Sequence, residues 1–79
     1  MKKYREYRIC TQAGSEENTM VFRDRYEAYA KYDELLEASE VSYCRFYRVY
    51  VIEDNGYADE YDEYTLAGFI VDSEGTEEF

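Results

Sequence analysis

The sequence predicts a small α+β fold: an antiparallel sheet of about four strands in the order β-β-α-β-β, with one helix packed on one face. Three observations carry that expectation. The first residues alternate in polarity at strand spacing, a capped apolar stripe follows at helical spacing, and two runs of β-formers flank an Asn-Gly pair. The 79 residues suffice for one domain, placed at residues 1–72, with an acidic C-terminal tail at 73–79. A domain of this size hides only ~60% of the surface its unfolded chain exposes. Its core is thin, so a partner or a second copy in a homo-oligomer would complement it.

Residues 3–11 read as the first strand, with Arg5, Tyr7 and Ile9 on one face and Tyr4, Arg8 and Cys10 on the other. Residues 13–18 form a polar connection, and residues 19–22 a short strand paired back as a hairpin. Asp24 is placed as a helix N-cap, with Glu27 three residues on as in a capping box. Ala28, Tyr29, Tyr32, Leu35 and Leu36 then fall on one helical face, while Tyr26 lies off it and is expected to be exposed. Residues 42–53 make a long strand whose C-terminal end is apolar on both faces, which suits a central position. Asn55-Gly56 signals a tight turn, and residues 65–72 supply the last strand. Residues 57–64 are open to two readings. They continue the hairpin, long or bulged, or they form a helical turn that aligns Tyr57, Tyr61 and Tyr64; the hairpin is favoured.

Charge is distributed unevenly. Residues 1–48 hold nine cations and nine acids, whereas residues 49–79 hold ten acids and no cation. The net charge of -10 therefore arises entirely in the last part of the chain. Clustered like charge destabilises the compact state by self-repulsion, and such asymmetry points to an interaction surface. It also suits an edge guarded against sheet-to-sheet aggregation.

Several chemistries lack their residues. Without His there is no Ser-His-Asp or Cys-His arrangement and no HExxH helix. Cys10 and Cys44 are the only cysteines, too few for a zinc site without His or for a disulfide framework, and are expected as thiols in a cytoplasmic protein. The four glycines are scattered, so no phosphate-binding loop is present. Aligning Gly56 with the glycine of a calcium loop puts Val51 at the first ligand position, and that reading fails. Paired carboxylates can hydrolyse glycosides, but a chain this short is not expected to build the cleft. No cofactor, metal or enzymatic activity is expected. No apolar run is long enough to span a bilayer, and no apolar segment follows the basic start as in a secretion signal.

Two binding readings remain. In the first, the protein is an acidic interaction module or inhibitor. Glu53, Asp54, Tyr57, Asp59, Glu60, Tyr61, Asp62, Glu63 and Tyr64 would occupy a basic groove of a partner protein, such as a nuclease or another nucleic-acid-binding protein. Carboxylate pairs would stand in for phosphates and tyrosines would supply apolar anchors. In size, composition and charge the chain resembles, as a class, the anti-restriction and anti-CRISPR proteins of phages and mobile elements. That resemblance implies nucleic-acid mimicry, and no family motif carries it. In the second reading, Arg5, Tyr7, Arg8, Arg45, Tyr47 and Arg48 line a small-molecule or nucleotide site on the sheet face or at an oligomer interface. Direct binding of nucleic acid is not expected, because the chain's charge repels phosphate.

Overall fold

The computed structural model describes all 79 residues. In chain order the elements are β1 (Lys2–Ala13), β2 (Glu16–Phe22), α1 (Arg25–Leu36), β3 (Tyr43–Asp54), β4 (Tyr57–Asp72) and β5 (Gly75–Glu78). They form one five-stranded sheet in the order β2-β1-β3-β4-β5, antiparallel at every pairing. The helix crosses one face of that sheet between β2 and β3. The α+β class and the β-β-α-β-β sequence are as expected from the residues, with β3 at the centre, and a fifth strand is added. No helix is long and apolar enough to cross a membrane.

The helix begins where its residues require. Asp24 is extended, and its side chain accepts the backbone N–H of Tyr26 at 2.8 Å, satisfying one of the free donors of the first turn. Ala28, Tyr32 and Leu35 are then buried, and Tyr26 is exposed. They pack on Ile9, Cys44, Phe46 and Phe69, which β1, β3 and β4 turn to the same face. Rings dominate this core: Tyr29 meets Phe46 edge-on at 4.8 Å, and Tyr32 lies 5.8 Å from Phe46 and 6.2 Å from Phe69.

Asn55 and Gly56 both have positive φ, 51° and 82°, and make the two-residue turn that joins β3 to β4. Residues 57–64 are therefore strand and not a helical turn. The pairing of β4 with β3 shifts twice, so that Leu66 and Glu63 are extra residues on β4.

Most of the acidic segment at 73–79 is strand β5. Asp72 accepts the backbone N–H of Glu74 at 2.8 Å, and Gly75 at φ 123° completes the reversal. Phe79 then donates its backbone N–H to the Gly68 carbonyl at 2.9 Å. Its ring rests where Gly68 has no side chain; a Cβ there would overlap that ring and the Cys44 carbonyl oxygen. The missing side chain of Gly68 and the terminal ring thus fit together across the sheet edge.

Candidate functional site

The sheet outruns its helix. The molecule is 48 Å long, and the helix-side core stops at Tyr7 on β1 and Phe46 on β3. Beyond that, residues 2–6 of β1, 48–54 of β3 and 57–64 of β4 form a three-stranded projection with no second layer. The predicted partner-binding residues, Glu53 to Tyr64, all lie on it.

On the face opposite the helix, Val49 and Val51 are 0% and 2% exposed although no element covers them. Ion pairs form the cover. Arg8 stands opposite Tyr47 and Glu60 opposite Val51, so the 2.7 Å Arg8–Glu60 pair must cross β3 over Val49. Arg8 also holds Glu6 at 2.8 Å. The Tyr4 hydroxyl donates to Glu53 at 2.6 Å, and Arg23 stacks 4.0 Å from the centre of the Tyr4 ring. These bonds shift protonation as their chemistry requires. The Arg8 guanidinium holds the Glu60 carboxyl below the usual carboxylate range, and the hydrogen bond to Glu53 pushes the Tyr4 phenol up.

The helix-side face of the projection is different. The bulge turns Glu63 to this face, where its carboxylate takes Arg48 at 3.0 Å and Arg5 at 3.2 Å. It also changes the parity of the strand. Tyr57 and Tyr61 pair with Asp54 and Tyr50, and Tyr64 pairs with Arg48, all on the helix side. A regular strand would have sent Tyr64 to the other face. The three rings therefore share one surface with Asp59, and they are 80%, 53% and 47% exposed for Tyr57, Tyr61 and Tyr64.

Of the predicted acids, Glu60 and Glu63 are consumed by arginines and Glu53 by Tyr4, while Asp54, Asp59 and Asp62 make no ion pair. The sequential pairs Asp59-Glu60 and Asp62-Glu63 are divided between the two faces, because neighbours on a strand point apart. The acidic half of the sequence is not one surface either. Asp72 and Glu74 lie at the opposite end of the 16-residue β4 from the hairpin tip, and Glu77 and Glu78 pair back beside Ile70 and Phe69, also outside the hairpin.

The alternative arginine–tyrosine set does not assemble. Arg5, Tyr7 and Arg48 face the helix side; Arg8, Arg45 and Tyr47 face the other. Arg5, Arg8 and Arg48 are bound by acids, and Arg45 donates to the Thr65 hydroxyl at 2.9 Å while lying 4.4 Å from the Tyr47 ring centre. Cys10 and Cys44 are free thiols on opposite faces of the sheet, so they cannot join. Burial pushes the Cys44 thiol up to about 11. No group of three or more acidic or sulfur side chains is placed to hold a metal ion.

Sequence reasoning missed the free edge of β4. Its outer side is paired only at Phe69–Asp72, by β5, and residues 57–68 have β3 on one side and no strand on the other. No protein-family model matches the chain, and neither a curated protein nor a solved structure is detectably similar to it.

Proposed function

We propose that the protein is an acidic interaction module or inhibitor whose β3–β4 hairpin end occupies a basic surface of a partner protein. The observation that carries this is the shared face of Tyr57, Tyr61 and Tyr64 around the unpaired Asp59, on a projection that no other element covers. Exposed tyrosines contribute little to a fold, whereas they are favoured at protein interfaces, where a ring is buried and a hydroxyl finds a partner. Unpaired carboxylates beside them select a basic partner and speed encounter with it. Basic surfaces that accept such a projection include grooves that hold nucleic acid, so mimicry of nucleic acid, as in an anti-defence protein, is the specific form of this reading. Only Asp54, Asp59 and Asp62 are available as phosphate substitutes on the hairpin, fewer than the sequence suggests.

The nucleotide-site alternative has less to stand on, since three of its four arginines already hold carboxylates. The test is affinity capture from a bacterial lysate, eluted by stepped salt, with the wild-type chain and with Asp54→Asn/Asp59→Asn/Asp62→Asn. Elution of a nucleic-acid-handling protein by salt from the wild-type chain alone is expected. Equal capture by both chains would refute the reading.

A further inference from the structure

We propose that the partner engages the hairpin by strand addition: an extended basic segment pairs with the free edge of β4 at residues 57–62. This rests on the reading of the hairpin as an acidic binding surface and adds the geometry of the contact.

The backbone carries the argument. From Asp54↔Tyr57 to Val49↔Asp62 the two strands pair one to one without a shift. In a two-residue hairpin the residues flanking the turn exchange hydrogen bonds, and such pairs alternate along the ladder. Tyr57, Asp59 and Tyr61 therefore direct their backbone groups at β3. Ala58, Glu60 and Asp62 direct theirs outward, where no strand receives them. This is a regular row of donors and acceptors about 20 Å long at strand rise, the template that an added strand uses. The bulge at Glu63 ends it, because the extra residue twists the edge away.

Charge selects the occupant. A second copy of this edge would set Asp59, Glu60 and Asp62 against their own kind, and like charges on adjacent strands are destabilising. A basic strand instead meets the unpaired carboxylates of Asp59 and Asp62, and the cations that reach this strand, Arg8 at Glu60 and Arg5 and Arg48 at Glu63, are already neutralised by those acids. One face of such a strand would meet Asp59 between Tyr57 and Tyr61, and the other would meet Asp62.

The probe is an eight-residue peptide alternating Lys and Val, capped at both ends and labelled for fluorescence anisotropy. Two N-methylated versions each block the donors of one peptide edge. Binding to the wild-type chain at low salt is expected, with at least a ten-fold loss for one of the methylated peptides. The same loss is expected with Ala58→Pro, which removes an outward N–H while leaving the bonds to β3. If neither methylation nor Ala58→Pro weakens binding, strand addition is wrong and the acidic surface stands. If Asp59→Asn/Asp62→Asn binds as tightly as the wild type, the basic occupant and the underlying reading both fall. The methylated peptides use the wild-type chain, so the question is decided even where Ala58→Pro unfolds. Absence of peptide binding, or a wild-type dimer in sedimentation that Ala58→Pro dissociates, would also overturn the proposal.

Discussion

The two ends of the sheet are built from the same strands and held together differently. At the helix-covered end, Ile9, Phe46 and Phe69 are buried beneath Ala28, Tyr32 and Leu35, and the stabilising term is apolar area removed from water. At the hairpin end there is no helix, and Val49 and Val51 are sealed by arginine stems, carboxylates and the Tyr4 ring. Long charged side chains can serve as a second layer when the chain is too short to supply one. The opposite face of the same projection is left with exposed tyrosines. One end is organised for folding, and the other combines a sealed face with an open one.

The difference predicts unequal responses to substitution. Phe46→Ala opens a cavity at the centre of the covered end and should cost about 3–5 kcal/mol, comparable with the roughly 3–5 kcal/mol that one core supplies in so small a chain. Urea or thermal unfolding followed by circular dichroism should show a largely unfolded protein. Gly68→Ala should cost less, about 1–3 kcal/mol as for overpacking, because the new methyl displaces Phe79. β5 should then detach, which amide exchange at residues 75–79 would report, while the helix-covered core persists.

At the hairpin end the smaller effect depends on pH. Glu60 titrates below its ordinary value because Arg8 binds its charged form. A depressed carboxyl contributes stability above its unfolded value, near 4.3 for glutamate, and loses it as pH falls through the folded value. Arg8→Met should remove that part of the acid sensitivity. Wild type and variant should therefore differ most in unfolding midpoint at neutral pH and converge at strongly acid pH. A constant difference at every pH would mean that the stem of Arg8, and not its charge, covers Val49.

Most of the covered end was legible in the sequence, because its signals are local. Asp24 caps and the stripe from Ala28 to Leu36 has helical spacing, and at the hairpin end the same kind of local signal, Asn55-Gly56 with two positive φ angles, marks the turn. The hairpin end was legible as a location and not as a surface. The bulge at Glu63 exists only in the pairing with β3, so strand periodicity could not show that Tyr64 joins Tyr57 and Tyr61. The Arg8–Glu60 pair spans 52 positions and neutralises a residue that composition assigned to the partner. The docking of Phe79 depends on a glycine on the neighbouring strand, which made a strand resemble a tail.

The most direct test is amide hydrogen exchange on the full chain, free and bound to the partner captured at low salt. Slowed exchange confined to residues 57–64, strongest at the outward amides of Ala58, Glu60 and Asp62, is the predicted result. Protection appearing instead at β2 or at the β4–β5 turn, with the hairpin end unchanged, would contradict the assignment of the hairpin as the binding surface.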